Sequence, residues 1–133
     1  MLDTIGRRRC LLGTKFTRSL KKMINAKKKG NAGEHELAHW LEENGFKAFR
    51  NSMSGGSIWK GDIANNLDLT IEVKTVKKIN LLEAWKQVNK DASTAHNSPL
   101  LALHFDHMPR KEWLMVLHSE DYIDLLKKAH SAK

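Results

Sequence analysis

Cysteine is almost missing from this 133-residue chain: Cys10 stands alone, so neither an internal disulfide nor a zinc knuckle can brace the fold. Its arginine neighbours could at most lower its thiol pKa; the plainer reading is a minor thiol in a loose segment. Long apolar runs are lacking too. None approaches the roughly 20 residues needed to span a bilayer. Arg7-Arg8-Arg9 is followed only by Cys10-Leu11-Leu12, too short for the apolar region of a signal peptide. A cytoplasmic protein is expected. Nothing repeats at a fixed period, which sets aside solenoids and propellers, and the length suits one domain with a modest core.

Acidic residues are scarce at one end. Residues 1–29 hold ten of the 23 Lys and Arg, and of the 15 acids only Asp3, for a net +9. The remainder carries 13 basic and 14 acidic residues, a net of −1, so the basicity belongs to an arm and not to the body. A run of this kind, including Arg7, Arg8, Arg9, Lys27, Lys28 and Lys29, is a footprint for a polyanion, giving salt-dependent affinity without sequence specificity. A solvated tail without a partner is the alternative. A membrane-surface role is weaker, because Phe16, Leu20, Met23 and Ile24 make only a short apolar stripe.

The division expected is therefore a basic arm over 1–30 and a folded domain over 31–133. The arm has one short amphipathic helix near 17–26, closed by the lysine run and Gly30. A helix over 31–44 stops at Gly45, and an extended segment follows over 46–50. Asp62-Ile63-Ala64 leads through Asn65-Asn66 into a strand over 67–76. A helix spans 81–89 and extends toward Thr94; strands follow at 100–105 and 113–117, then a helix over 120–129 with Ser119 as its N-cap. The fold class is α/β, order αβββαββα, with helices flanking one mixed sheet.

The chemistry concentrates at Asp62 and Glu72-Val73-Lys74. Leu67, Leu69, Ile71 and Val73 alternate with Asp68, Thr70, Glu72 and Lys74, so Glu72 and Lys74 share one strand face. Magnesium needs only one or two carboxylates beside water and a substrate phosphate. Two acids with a lysine at this spacing can hold such an ion against a phosphodiester, which points to a nuclease. A strict two-residue turn at Asn65-Asn66 would pair Asp62 with Leu69, on the face opposite Glu72. A longer loop or a bulge is therefore expected, re-aiming Asp62.

His35-Glu36-Leu37-Ala38-His39 matches a zinc-protease pattern. On a helical wheel, however, Leu37, Ala38, Trp40 and Leu41 form the apolar arc and both histidines fall opposite, toward water. Glu34 lies at the edge of that arc. It serves either as the return half of a capping box with Asn31 or as a third acid beside Asp62 and Glu72. Trp40 and Trp113 read as core. Trp59 is a candidate for stacking on a base or for a partner surface. His96, His104, His107 and His118 lack ligand-like spacing and read as structural or exposed.

In order along the chain, Lys29-Gly30-Asn31-Ala32-Gly33-Glu34, Leu41-Glu42-Glu43-Asn44-Gly45-Phe46, Arg50, Ser54-Gly55-Gly56-Ser57, Gly61-Asp62-Ile63 and Ile71-Glu72-Val73-Lys74 resemble the PD-(D/E)XK nuclease superfamily. Within it they resemble the archaeal-type Holliday-junction resolvases and their phage relatives. The match is close over residues 27–78. It departs in the long basic arm, in Gly61 where the superfamily's name carries proline, and in the short spacing from Asp62 to Glu72.

The resemblance implies a restriction-endonuclease-like fold and a Mg²⁺-dependent (or Mn²⁺-dependent) endonuclease that nicks four-way DNA junctions in pairs as a homodimer. It places the protein near the nucleoid or in a phage. Asp62 and Glu72 would bind the metal, Glu34 would complete its shell directly or through water, and Lys74 would orient or deprotonate the attacking water. Arg50 with Ser54 or Ser57 would contact phosphates, and Gln87 would extend the site. The alternatives are a nuclease for restriction, repair or phage DNA processing, and a non-catalytic DNA-binding module. In the latter, Glu72 and Lys74 are an ordinary strand face, Asp62 a turn residue and the serine-glycine loop a flexible linker.

Overall fold

The computed structural model describes residues 2–52 and 60–132, with side chains from Leu20 onward apart from 24–26. The elements are α1 (Leu2–Glu43), β1 (Ala48–Arg50), β2 (Ile63–Asn65), β3 (Leu69–Val76), α2 (Leu81–Ala95), β4 (Ser98–Phe105), β5 (Leu114–Leu117) and α3 (Ser119–Ser131). This is the expected order, αβββαββα. The five strands lie in the sheet as β1-β2-β3-β4-β5, with β3 and β4 parallel and every other pair antiparallel.

Each face of the sheet has its own helix. Leu37, Ala38 and Leu41 of α1 are buried with Ile63, Ile71, Val73 and Ala102, and Trp40 and Trp113 pack against this group. On the other face Val88 of α2 is buried with Leu101 and Leu103, joined by Trp85 and Val116. The even and odd positions of β3 are thereby assigned to opposite helices, as a strand's two-residue period requires. Helix α3 buries none of its residues and leaves Tyr122, Ile123, Leu125 and Leu126 exposed.

Two local expectations need correction. The helix stop placed at Gly30 does not occur: α1 is one helix of 42 residues, about 63 Å long at 1.5 Å per residue. One glycine costs a helix only about 1 kcal/mol, and the seating of this stretch of α1 on Thr75 of β3, through Lys29 and Gly33, carries the helix through. The N-cap of α3 is His118, whose imidazole accepts the Glu120 N–H, and Ser119 is already inside the helix. The stop at Gly45 is as expected. Gly45 adopts φ +93° and the Phe46 and Gly45 amides bond back to the Leu41 and Glu42 carbonyls, a Schellman ending.

Gly33 sets how close α1 lies to the sheet. A Cβ there would overlap Thr75 Cγ2 of β3, and the Thr75 hydroxyl donates to the Lys29 carbonyl at 3.4 Å. Gly33→Ala should therefore lower stability by about 1–3 kcal/mol through overpacking, despite alanine's better helix propensity. Adding Thr75→Ser, which removes the clashing methyl, should restore most of the loss in denaturant melts. An unaffected single variant would disprove the close approach.

Candidate active site

Glu72 and Lys74 pair in register with Leu101 and Leu103 of β4, which puts them on the sheet face covered by α2. The Glu72 side chain is 19 % exposed and that of Lys74 39 %, with Lys74 Nζ 3.4 Å from Glu72 Oε1. Burial raises the Glu72 pKa above the ordinary range; Lys74 opposes this, and the charges of Asp91 and Glu34 add to it.

Asp62 reaches the same place through the hairpin. Ile63 stands opposite Ile71, which leaves three residues, Asn66, Leu67 and Asp68, in the loop and brings Asp62 to the stretch of β3 that carries Glu72. The loop is longer than two residues for identifiable reasons. Asp68 adopts φ +56°, as the last residue of a three-residue hairpin loop does. The Asn65 side chain bridges the loop, donating to the Ile63 and Leu69 carbonyls and accepting the Leu67 amide. Asp62 and Ile63 both face Ile71, because the Asp62 N–H also bonds the Ile71 carbonyl at 2.7 Å. Two residues against one is a bulge.

The Asp62 carboxylate then accepts the Val73 amide at 2.8 Å, supplying a β3 N–H with an acceptor just where β2 ends. Its pKa is pushed up to about 7, first by burial and then by the Glu72 charge; the Val73 N–H opposes the rise, Glu34 adds to it, and Lys74 lowers it.

Glu34 approaches from the α1 side. Its Oε2 accepts Arg50 Nε at 2.6 Å, and Arg50 Nη2 donates to Asn31 Oδ1 at 2.8 Å. There is no capping box, since α1 runs through Asn31 without a cap. Arg50, expected at phosphates, is here held between Glu34 and Asn31. Glu34 is near enough for its charge to act on both Asp62 and Glu72. Even so, no group of three His, Cys, Asp or Glu side chains among the described residues is gathered as for a metal.

The residues nevertheless suit a divalent cation. Asp62 and Glu72 are two partly buried carboxyls, both pushed toward protonation, and a single neighbouring ammonium offsets them. One or two such oxygens are what magnesium takes from protein when water and phosphate supply the rest.

The α2 helix contributes an acid that the sequence reading did not single out. Asp91 acts on Glu72, and the Gln87 amide donates to its carboxylate at 3.3 Å. The signal was present in the four-residue spacing from Gln87, but it is indistinguishable from any polar helix face.

Other candidates fall elsewhere. Lys27 and Lys28 are exposed, and Lys29 pairs with Asp106. Ser54, Ser57 and Trp59, and the side chains of Arg7, Arg8 and Arg9, lie outside the described residues. The protease-like histidines are both exposed: His39 pairs with Glu43 at 3.1 Å, and the intervening Glu36 accepts Arg110 at 2.8 Å. His104 bonds the Pro109 carbonyl and packs on Trp113, while His96 and His118 cap helices.

A mixed five-stranded sheet between helices, with a bulged hairpin bringing the Asp62 carboxylate to Glu72 and Lys74, defines a protein of the PD-(D/E)XK nuclease superfamily. More narrowly, the chain belongs to the archaeal Holliday junction resolvase (Hjc) family, whose sequence profile matches residues 25–130. Among solved structures it is similar to Hjc of Archaeoglobus fulgidus, described as a Holliday junction resolvase from an archaeal hyperthermophile. The two share 25 % identity at a TM-score of 0.51, over 66 % of this chain and 76 % of that one. No curated protein matches.

Proposed function

We propose that this protein is a divalent-metal-dependent endonuclease that resolves four-way DNA junctions by paired nicks. The observation that carries the reading is Asp62, its carboxylate on the Val73 amide between Glu72 and Lys74, driven up to about 7 beside that second carboxyl and the lysine. Such a pair is unfavourable in the free protein, and a bound cation would relieve it.

Asp62 and Glu72 would hold Mg²⁺, or Mn²⁺ in its place, with Glu34 acting on the same site from the α1 side. The metal, when bound, would lower the pKa of an attacking water and neutralise charge on the phosphoryl oxygens. Lys74 orients that water and stabilises the phosphorane-like transition state from a second direction. Glu34 and Asn31 hold the Arg50 guanidinium, which is the cation best shaped to grip a phosphate in a bidentate fashion. Ser54 and Ser57 are assigned to phosphates on the resemblance alone. Symmetric cuts across a junction call for two sites facing opposite strands, which a two-fold homodimer supplies.

The N-terminal half of α1 lies mostly before the matched region and carries the basic arm. It is assigned to DNA backbone, together with Lys27, Lys28 and Lys29. Deleting residues 1–26 removes seven of the arm's ten basic residues. The expected result is weaker binding with a shallower dependence of affinity on salt, measured by titration at several salt concentrations.

The direct test is incubation with a synthetic four-way junction, a plain duplex and a flap, each with Mg²⁺ or chelator. Cleavage of the junction alone, in Mg²⁺ alone, is the expected outcome. Cleavage of the flap or duplex instead would make the protein a nuclease of another substrate. Binding without cleavage of any of the three would leave a non-catalytic DNA-binding module.

A further inference from the structure

Three separate segments bring basic side chains to the C-terminal ends of the parallel strands β3 and β4. The last register pair is Val76 with Phe105, so Lys77 and Asp106 are the next residues side by side, followed by His107. From α1, Lys29 reaches the same point and forms an ion pair with Asp106. Its backbone is pinned there as well, through the Thr75 hydroxyl on its carbonyl. The Asp106 carboxyl is held below the ordinary range by Lys29 first, with Lys77 and His107 adding to the effect. Lys77, Lys78 and His107 are exposed, as are Lys27 and Lys28 on the preceding turn of α1.

This gathering does little for the fold. Exposed ion pairs contribute little to stability, and collecting several like charges around one acid costs repulsion. The arrangement is economical only if a second anion takes the place of the first. The outer ends of parallel strands are where open α/β sheets seat their ligands. Lys77 follows the end of β3, three residues beyond Lys74 and at most about 10 Å from it along the chain, or about three nucleotide rises of DNA.

We propose that Lys29, Lys77 and His107 form a seat for a backbone phosphate of the DNA flanking the cleavage point, and that Asp106 fills this seat in the free protein. Binding DNA then requires Asp106 to release Lys29, so the acid holds down affinity for any passing duplex. The inference rests on the proposed action on DNA but not on cleavage, and its test needs no metal.

The measurement is the affinity for a synthetic four-way junction as a function of salt, in chelator. Asp106→Asn should bind about 3–10-fold more tightly at low salt, with a log–log salt slope steeper by about 0.9, the value of one added phosphate contact. Lys77→Ala should bind more weakly, with a shallower slope. In a Lys29→Met background the gain from Asp106→Asn should disappear, because the lysine that the substitution frees is no longer there.

A control on α3, Asp121→Asn, changes the net charge by the same unit away from the seat and should leave the slope unaltered. Asp106→Asn behaving like that control, or keeping its gain without Lys29, overturns the seat. Absence of DNA binding by the wild-type protein overturns both the seat and the proposed function. Tighter binding by Asp106→Asn in a protein that cuts no substrate would sink the nuclease reading and leave the seat standing.

Discussion

Asp62→Asn should abolish cleavage and leave junction binding nearly intact. Asparagine keeps an oxygen for the Val73 amide, so the hairpin retains the bond that aims residue 62. What goes is the negative charge that would hold the cation. If the metal supplies about 4 kcal/mol of transition-state stabilisation, the rate should fall by about 10³-fold. Glu72→Gln should do the same, and chelator should reproduce either variant in the wild-type protein.

The same substitution leaves a thermodynamic trace. The Asp62 carboxyl titrates near 7 in the folded protein against an ordinary value of 3.8, so the folded state binds this proton more tightly than the unfolded state does. Between about pH 4 and pH 7 the folded state holds more protons, and stability of the metal-free protein must fall as pH rises through that window. Three pKa units correspond to at most about 4 kcal/mol, and Glu72, also raised, acts in the same direction. Thermal melts in chelator should show this decline in the wild-type protein and a weaker one in Asp62→Asn. Divalent cation should raise the melting temperature above pH 7 only where Asp62 is present. Full cleavage by the variant in Mg²⁺ would remove Asp62 from the site.

Much of the site could be read from the chain because local rules bore on it directly. The alternation through Leu69, Ile71 and Val73 fixed the face of Glu72 and Lys74. The conflict between a two-residue turn and a shared site pointed to the longer loop that Asn65 and Asp68 build. Gly45 ended its helix because only a residue tolerant of positive φ completes that motif.

What escaped notice depends on partners distant in sequence. A helical wheel sends Glu34 inward, yet nothing in it shows that Arg50, 16 residues later, is the group it meets. Gly30 looked like a stop because propensity is judged residue by residue, whereas α1 is held on the sheet by the Gly33–Thr75 contact and continues through. Asp91 gains meaning only once α2 is laid over β3. Asp106 gains its own once β3 and β4 are known to end side by side.

Gly61 is the second residue on which the site turns. At φ +95° it occupies a region that costs other residues on the order of 1–3 kcal/mol. Space is short as well: a Cβ would lie 3.0 Å from the Ile71 carbonyl oxygen, 3.1 Å from its nitrogen and 3.2 Å from Thr70 Cγ2. Proline, which the superfamily's name places before the acid, is locked near φ −65° and cannot take this conformation. This chain therefore turns into its bulge on a glycine, matching the short spacing between Asp62 and Glu72.

Gly61→Ala should cost about 2 kcal/mol and lower the melting temperature by roughly 4–8 °C. Gly61→Pro should cost more. Because the Asp62 amide bonds the same Ile71 carbonyl that the new Cβ would crowd, the strain falls on the carboxylate's own anchor. Cleavage by both variants should consequently be lost at temperatures well below their melting points, where the protein is fully folded. Wild-type rates from folded Gly61→Pro would mean that the hairpin tolerates a proline and that Asp62 is aimed by something other than this turn.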